Sequence, residues 1–339
     1  MRKTRKSKLK GQKQILLVGL FVFVTLMTIG YAAFNTNITL HVKGNIKAKP
    51  VDITDNVVTS GDGLYKDEYE EGRYVYRGSN PNNYIMFNNE LWRIIAKEAD
   101  GTYKILRNEI VTNMPFDSQG ARTTGYCSQG SAPTYGCNVW SSTANMVASP
   151  SEFTNGSYTG TVGADSEMLT YLNGEYLNSI TVNKEKIVNH DYNIGAVVSD
   201  NEDLNAQIEG EKAYKWNGKV GLISHSDYIN ANSNQELCGT DKINYENYET
   251  CRNDDWMYIS GTWWWTLSPL ADHSGYVWGV GAGGNLYGNY ARYSYVVRPA
   301  VYLTSSLSLS GSGTQSDPYR IGWLTDNFEK TSKNKEKRA

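Results

Sequence analysis

The spacing of apolar residues changes several times along the chain, and each spacing predicts a different structural element. Between residues 73 and 107, four runs are rich in aromatic and β-branched side chains, which is typical of β-strands: RYVYRG, NYIMF, ELWRIIA and TYKILRN. Asn88-Asn89 and Asp100-Gly101 separate neighbouring runs, and such pairs favour tight turns. This region is therefore predicted to form antiparallel hairpins.

Residues 165–180 change to the three- and four-residue spacing of a helix, for which Asp165 is the predicted N-cap. The apolar side chains that follow this spacing are Met168, Leu169, Leu172, Tyr176 and Ile180. A second, short helix is predicted at residues 225–232. The apolar runs at residues 194–198 and 219–223 predict short buried strands.

The region 256–303 is rich in aromatic residues and predicts the last strands. Side chains alternate between the faces of a strand, so Trp264 should face away from Trp263 and Trp265. The segments YVWGV and LYGNY flank a Gly-Gly-Asn turn and predict a hairpin, and VVRPAVYL predicts a final strand. Pro299 cannot donate a ladder hydrogen bond, so this strand should break or reach an edge there. Residues 112–163 are predicted to be mostly loop.

The N-terminus predicts export. Residues 15–34 carry no charge, and residues 1–14 carry seven basic residues and no acidic one. A helix of that apolar length spans ~30 Å, the thickness of a bilayer core, and the basic leader places its own end in the cytoplasm. Two interpretations stay open: an uncleaved anchor, or a signal peptide cut near Ala32. The GYAAF segment and the polar stretch after it also resemble export segments of Gram-positive surface proteins.

These features predict the domain organisation and the location of the protein. Residues 35–64 are predicted to form a stalk, residues 65–324 an extracellular domain, and residues 325–339 a disordered basic tail. We expect the protein at the cell membrane with its C-terminal domain outside, or secreted after cleavage. Its membrane partner would be contacted through residues 15–34.

The net charge of −2 is the balance of unlike regions. The leader has seven basic residues, and residues 329–339 have five basic and two acidic residues. The body between them, residues 35–328, has 21 basic and 33 acidic residues, a net charge of −12. Nucleic-acid binding needs a basic surface, so no nucleic-acid partner is expected. The 25 Tyr and 9 Trp oppose disorder of the body.

The four cysteines predict two disulfides, as in many exported proteins. Three pairings are possible. We predict the local ones, Cys127 with Cys137 and Cys238 with Cys251, because each pair brackets a loop without a core of its own. The spacing of two to four residues that zinc sites use is absent, and no metal is expected.

Five blocks together resemble one bacterial family: residues 91–95 (LWRII), 171–176 (YLNGEY), 220–224 (VGLIS) with 227–228 (DY), 264–269 (WWTLSP) and 297–301 (VRPAV). Their order and spacing resemble the family called domain of unknown function 6273, over roughly residues 65–305. That family carries a WWLRSP segment before a hairpin and a terminal VRPAL strand. Here Thr266 and Leu267 stand where the family has Leu and Arg, so any role of that Arg does not transfer.

The family is similar in its C-terminal pattern to formylglycine-generating-enzyme-like domains and other C-type-lectin-like folds. The resemblance implies an α+β fold: a C-type-lectin-like mixed domain with antiparallel hairpins and one or two helices, behind the single N-terminal transmembrane or signal helix. It also implies that the last strands present a loop-rich face. It does not imply an activity, because function depends on sites and not on folds.

No residue pattern predicts a catalytic site or a cofactor. Formylglycine-generating enzymes use a Cys pair near the C-terminal core, whereas Cys251 is the last cysteine here. The EPN, QPD and WND motifs of calcium-dependent lectins are absent, and the acidic run at 200–203 is expected to be a solvated loop. Residues 190–191, 225–227 and 272–274 contain triad residue types. Neighbours in sequence rarely face one another, however, and no GxSxG elbow occurs.

Residues 271–295 have the composition of a binding loop, with tyrosines among Gly, Ser, Asn and Ala. Aromatic rings supply contact area at low entropic cost, and small polar residues adapt to a ligand. In lectin-like folds the corresponding hairpin often forms the ligand face, so the resemblance implies the same. The predicted ligand-binding residues are Tyr276, Trp278, Tyr287, Asn289, Tyr290, Arg292 and Tyr293. A purely structural hairpin is the alternative.

The leading hypothesis is a surface-displayed, non-catalytic recognition or adhesion module that binds a glycan, peptide or protein through this hairpin. The first alternative is an exported hydrolase or modifying enzyme with a site near Asp272 and His273. The second is a structural subunit of a surface assembly, in which the strand-like residues 38–42 pair with a neighbour.

Overall fold

The computed structural model describes residues 50–118, 126–128, 130–140, 165–198, 203–239, 247–271 and 273–322. All of them belong to one compact unit, Ala48–Ala339. The predictions for the leader, for the apolar segment 15–34, for most of the stalk and for the basic tail lie outside these residues. Within the described ranges, no helix has both the length and the apolar character that crossing a bilayer requires.

The described residues form many strands and few helices. The strands are β1 (Gly63–Lys66), β2 (Tyr74–Arg77), β3 (Tyr84–Phe87), β4 (Glu90–Lys97), β5 (Tyr103–Arg107), β6 (Thr112–Met114), β7 (His190–Asn193), β8 (Lys215–Gly218), β9 (Val220–Gly221), β10 (Trp264–Pro269), β11 (Tyr276–Val280), β12 (Leu286–Tyr290), β13 (Tyr295–Val297), β14 (Ala300–Leu303), β15 (Leu309–Ser310) and β16 (Tyr319–Ile321).

The α-helices are all short. They are α1 (Ala132–Tyr135), α2 (Glu167–Tyr171), α3 (Leu177–Ser179), α4 (Leu204–Lys212), α5 (His225–Asn230), α6 (Gln235–Cys238) and α7 (Tyr248–Cys251). Short 3₁₀ turns occur at Ile53–Asn56, Tyr126–Ser128, Lys184–Lys186 and Arg252–Asp254. This mixture of strands and helices confirms the predicted α+β class at its coarse level.

The strands assemble into two main sheets and one separate hairpin. The larger sheet has the order β15-β16-β3-β4-β5-β14-β9, and β2, paired with β1, joins the second half of β4. The smaller sheet has the order β12-β11-β10-β13-β6. Strands β7 and β8 pair only with each other. Most neighbours are antiparallel, whereas β16 runs parallel to β3 and β13 runs parallel to β10.

The predicted hairpins of residues 73–107 are confirmed. Strand β4 pairs with β3 on one side and with β5 on the other. Asn88 and Asn89 form the first turn with φ angles of 54° and 60°, and Gly101 has φ 84° in the second. These left-handed conformations suit Asn and Gly, which is why the two dipeptides identified the turns correctly.

The helix predicted at residues 165–180 is present but widened in the middle. A π-helical segment, Leu172–Tyr176, separates α2 from α3. The predicted cap was wrong by one residue, because the hydroxyl of Ser166 and not Asp165 accepts from the Leu169 amide, at 3.1 Å. All five apolar residues that carried the prediction are buried, so the extra residue of the π turn is accommodated without exposing that face.

The strand predicted at residues 194–198 does not form. The amide of Gly195 donates to the carbonyl of Glu211 at 2.9 Å, and the amide of Ile194 donates to Tyr214 at 2.8 Å. The first amide therefore bonds to the end of α4 and the second to the residue before β8, while Val197 forms an isolated bridge with Leu270, just after β10. Of the predicted strand 219–223, only Val220–Gly221 pairs, as β9.

The last predicted strand is divided at Pro299, as expected. Residues before the proline form β13 in the smaller sheet, and residues after it form β14 between β5 and β9 in the larger sheet. The missing amide of Pro299 coincides with the crossing from one sheet to the other. Its carbonyl accepts from the Arg107 amide at 3.0 Å.

The interior contains two apolar clusters. Trp265 belongs to one and Trp264 to the other, and both are fully buried. This confirms that the two side chains leave β10 on opposite faces. Residues at the end of the predicted stalk also pack onto the unit, since Val51 pairs with Leu309 and Ile53 is buried.

Both local disulfides are present. Cys127 bonds Cys137, and Cys238 bonds Cys251. The predicted pairing is confirmed. The first bridge closes the loop that carries α1, and the second joins α6 to α7.

Candidate functional site

The predicted binding hairpin forms from β11 and β12 in antiparallel register. Tyr276 lies opposite Tyr290, and Gly279 lies opposite Tyr287. A Cβ at Gly279 would lie 2.9 Å from the Trp264 carbonyl, so glycine allows β10 to approach closely. The hairpin is therefore fixed against the Trp-rich strand, and its tyrosines are held at defined positions along the edge of the smaller sheet.

Seven aromatic side chains form a continuous surface series, here called the aromatic row: Tyr135, Tyr276, Tyr290, Tyr293, Tyr295, Trp263 and Tyr287. Ring centroids are 4.9 Å apart for Tyr290 and Tyr293, and 6.1 Å apart for Tyr293 and Tyr295. The Trp263 ring is 5.5 Å from Tyr295 and 6.4 Å from Tyr287. Most of these contacts are edge-to-face, a favoured geometry for aromatic pairs.

The row is partly open to solvent. Tyr287 and Tyr293 are 39% and 40% exposed, and the other members are half-buried. Burial and the hydrogen bond with Tyr290 raise the pKa of Tyr276, and burial raises the pKa of Tyr295. These hydroxyls stay protonated at neutral pH and are used within the protein, since that of Tyr295 donates to Asn289 Oδ1 at 3.1 Å. The row thus offers ring surface, with its most exposed hydroxyls on Tyr287 and Tyr293.

The loop closed by Cys127 and Cys137 supports one end of the row. The Tyr135 ring stacks on Tyr290 with centroids 4.2 Å apart, and the Tyr135 carbonyl accepts from the Arg292 amide at 3.0 Å. Gly136 has φ 90°, and a Cβ there would lie 2.3 Å from a backbone oxygen of Asp117. Glycine is therefore required for this loop to reach the hairpin.

The predicted site residues fall into three groups. Tyr276, Tyr287, Tyr290 and Tyr293 belong to the aromatic row. Arg292 is exposed beside it, with its guanidinium carbon 5.8 Å from the centre of the Tyr290 ring.

The other two predicted residues are buried. Trp278 is 3% exposed and donates from its indole to the Val197 carbonyl at 3.1 Å, so it packs in the core. Asn289 is also buried, and its side-chain oxygen accepts from the Tyr295 hydroxyl at 3.1 Å. Asn289 thus orients a ring and does not reach the surface.

Sequence reasoning missed three members of the row: Tyr135, Trp263 and Tyr295. Tyr135 lies more than a hundred residues before the hairpin, and only the fold brings it near. Trp263 belongs to the Trp-Trp-Trp run, but strand alternation places it on the side of Trp265, which is fully buried, so the pattern alone does not identify it as a surface residue. Tyr295 follows the hairpin directly and shares its composition.

Only part of the alternative enzymatic site lies within the described residues. The His273 ring lies 4.8 Å from the Tyr276 ring, while Asp272 lies outside the described residues. His225 is fully buried, and neither of its ring nitrogens has a hydrogen-bond partner in the described part of the chain. Burial lowers the pKa of His225 to about 3, so it is a neutral ring, packed edge-to-face on Trp278. Its ring nitrogens do not accept a hydrogen bond from Ser226, as those of a catalytic base would.

A cluster of buried charged side chains was not predicted from the sequence. Arg73 donates to the carboxylates of Asp67, Glu98 and Asp227, and Lys104 donates to Asp227 at 2.6 Å. We call these five residues the ion cluster. Each side chain is about 90% buried or more.

Two members of the ion cluster, Arg73 and Asp227, have pKa values that their neighbours shift. Burial alone would raise the pKa of Asp227, but Lys104 and Arg73 outweigh it and hold the pKa below its ordinary value. Despite its burial, Arg73 has a raised pKa because of Glu98, Asp67 and Asp227. Across the described residues, no three His, Cys, Asp or Glu side chains are arranged to hold a metal ion.

Comparison with known proteins gives one match. Residues 144–305 match the model of a family described as a domain of unknown function (DUF6273). The match supports the family resemblance drawn from the sequence, over a shorter stretch that begins after the first disulfide loop. It includes the β11–β12 hairpin and most of the aromatic row. No curated protein and no solved structure gives a significant match.

Proposed function

We propose that this protein is an exported or membrane-anchored recognition module that binds a surface glycan along the aromatic row. The observation that supports this proposal is the row itself, seven rings in mutual contact with two of them about 40% exposed. Isolated exposed aromatics are ordinary, whereas a continuous series at a surface indicates an interaction site.

The chemistry of the row favours a sugar over other ligands. A sugar ring has apolar C–H faces and a rim of hydroxyls, so it needs flat apolar surface next to hydrogen-bonding groups. Tyrosine supplies both from one rigid side chain. The row itself contains no carboxylate, and Arg292 is the charged side chain stacked beside it. A neutral or weakly anionic glycan fits this surface.

The remaining parts of the proposal concern fold and location. We infer a C-type-lectin-like arrangement, in which the terminal hairpin is the ligand face, from the family resemblance and from the position of the row on β11 and β12. Two disulfides support an oxidising compartment outside the cytoplasm. The basic leader and the apolar run at 15–34 support export across the cell membrane.

The experiment compares the full-length wild-type protein with a variant on an array of neutral polysaccharides and peptides. The variant carries Tyr287→Ala and Tyr293→Ala, the two most exposed rings of the row, so its fold should be preserved. We expect glycan binding by the wild type and a loss of about tenfold or more in the variant. Leu237→Ala, 38% exposed and outside the row, is the control and should bind like the wild type.

Two outcomes would contradict the proposal. One is an absence of glycan binding by the wild type on an array that captures known lectins. The other is equal affinity of the wild type and the double variant. If the array shows binding to peptides and to no glycan, the ligand of the row is a protein and not a sugar.

A further inference from the structure

A polar cleft lies beside the β7–β8 hairpin and helix α4. Its outer part has a volume of about 520 Å³, and its narrow inner part about 60 Å³. Both parts share the same lining residues: Glu70, Glu98, Asn193, Lys212 and Tyr302. None of these residues belongs to the aromatic row, so the cleft is a separate feature.

The ion cluster forms the base of the cleft and carries an excess of negative charge. Its three carboxylates face two cations, Arg73 and Lys104. Asp67, Glu98, Asp227, Arg73 and Lys104 all line the inner part. The cations of the outer part have acidic neighbours of their own: Lys212 lies 3.5 Å from Glu70, and Lys215 lies 3.8 Å from Asp191.

Glu98 is the group in this cluster whose bonding is incomplete. One carboxylate oxygen accepts from the Arg73 Nε at 2.8 Å. The other, Oε1, has no hydrogen-bond partner among the described residues. It is also buried, since the whole side chain is only 10% exposed. Buried carboxylate oxygens are normally paired. Glu98 lines both parts of the cleft, so a donor that enters it lies beside a carboxylate whose bonding is incomplete.

The surroundings favour a small organic cation over a metal ion. Asp67 and Asp227 are already engaged by Arg73 and Lys104, so a hard cation would not find the several free oxygens that it requires. An ammonium group is about the size of a water molecule, and the inner part has room for a few such groups. The outer part is large enough for the remainder of the molecule.

We propose that the polar cleft binds a primary ammonium group, with Glu98 Oε1 as its acceptor. The ligand is an alkylamine or a lysine-like side chain, whose ammonium lies in the inner part and whose chain extends into the outer part. The ammonium neutralises the excess charge of the ion cluster and supplies the missing donor.

The test uses the full-length protein and three probes of matched length: cadaverine, 1-pentanol and glutarate. Calorimetric titration at pH 7 should detect binding of cadaverine and not of the neutral alcohol or the dianion. The decisive variant is Glu98→Gln, because the amide oxygen still accepts from Arg73 while an N–H₂ group replaces Oε1. It should bind cadaverine about tenfold more weakly or worse.

Controls separate a local effect from a general one. Glu185→Gln lies at an exposed position outside the cleft and should bind like the wild type. Glu70→Gln, 40% exposed at the shared wall, should weaken binding less than Glu98→Gln does. If Glu98→Gln does not fold, the contrast between cadaverine and pentanol on the wild-type chain decides. Equal affinity for both, preference for glutarate, no binding of cadaverine, or an unchanged affinity in a folded Glu98→Gln protein would overturn the proposal.

Discussion

The rings of Tyr135 and Tyr290 are nearly parallel, with 10° between their planes and 4.2 Å between their centroids. One ring comes from a disulfide-closed loop and the other from the last residue of β12. This stack therefore connects the loop to the binding hairpin, and it makes the first disulfide a determinant of the geometry of the aromatic row.

Removing the first disulfide should affect both stability and binding. In the chain-entropy interpretation, replacing Cys127 and Cys137 by Ser releases a loop of 10 residues and should lower the free energy of unfolding by about 2–3 kcal/mol. The freed loop no longer holds Tyr135 against Tyr290, so glycan affinity per folded molecule should also fall. Urea denaturation and the array measure the two effects.

The matched control for this prediction is the second disulfide. Replacing Cys238 and Cys251 by Ser opens a loop of similar length, with a separation of 13 residues, that contributes no ring to the row. It should lower stability by a comparable amount and leave glycan affinity unchanged. A loss of affinity in both variants would show that the effect on binding is not specific to Tyr135.

Tyr290 and Tyr287 should differ in their importance for folding. Tyr290 contacts the rings of Tyr135, Tyr276 and Tyr293, so Tyr290→Ala should cost about 1–3 kcal/mol of stability. Tyr287 is 39% exposed and packs edge-to-face on Trp263. Tyr287→Ala should change stability by less than about 0.5 kcal/mol. Chemical denaturation of the two variants gives the comparison, and equal costs would refute it.

His225 should make the fold sensitive to acid. Burial depresses its folded pKa to about 3 from 6.5, so between these values the unfolded chain binds the extra proton. The stability associated with a neutral His225 is complete above pH 6.5 and declines as the pH falls below it. Between pH 7.5 and pH 5 this contribution amounts to about 2 kcal/mol.

The variant His225→Phe isolates this effect from other titrating groups. Phenylalanine can keep the edge-to-face contact with Trp278 and has no ring nitrogen to leave unpaired. Its stability relative to the wild type should rise by about 2 kcal/mol as the pH is lowered from 7.5 to 5. Denaturation curves for both proteins at each pH provide the difference. A difference independent of pH would mean that His225 titrates normally in the folded protein.

Asp227 should be sensitive to substitution because it is the carboxylate that both cations of the ion cluster contact. Asp227→Asn leaves the buried ammonium of Lys104 without its carboxylate partner, which should cost about 3–5 kcal/mol. Glu68→Gln is the matched control, because Glu68 is 65% exposed and lies 3.5 Å from Arg77. Exposed pairs contribute little, so this change should cost less than about 1 kcal/mol. Similar costs for both variants would show that burial does not determine the importance of these pairs.

Local patterns in the sequence predicted the local elements well. The Asn-Asn and Asp-Gly turns, the short helix α5, the β11–β12 hairpin and the break at Pro299 depend on interactions among near neighbours. The strand expected at 194–198 is reduced to a bridge between Val197 and Leu270, because the Gly195 amide bonds to the end of α4, a contact that no local pattern reveals.

The candidate sites also divide into parts that local sequence predicts and parts that depend on long-range contacts. Four of the seven predicted residues lie in the aromatic row, because tyrosines within one hairpin are near one another by necessity. Trp278 and Asn289 are buried although they share strand faces with Tyr276 and Tyr287, so the distinction depends on what packs over each position and not on strand alternation. The polar cleft could not be predicted at all, since Arg73, Glu98 and Asp227 are widely separated along the chain and each resembles an ordinary surface charge.

The pairing of Val51 with Leu309 has a consequence for engineering. The Val51 amide donates to the Leu309 carbonyl at 2.9 Å, and Leu309 pairs on its other side with Ile321. Val51 and Ile321, near the two ends of the described unit, thus have one strand between them, a separation of about 10 Å. A linker of about four to six residues would join them. A circularly permuted chain, opened in the turn at Asn88 and Asn89, could then keep all the strand pairings in place.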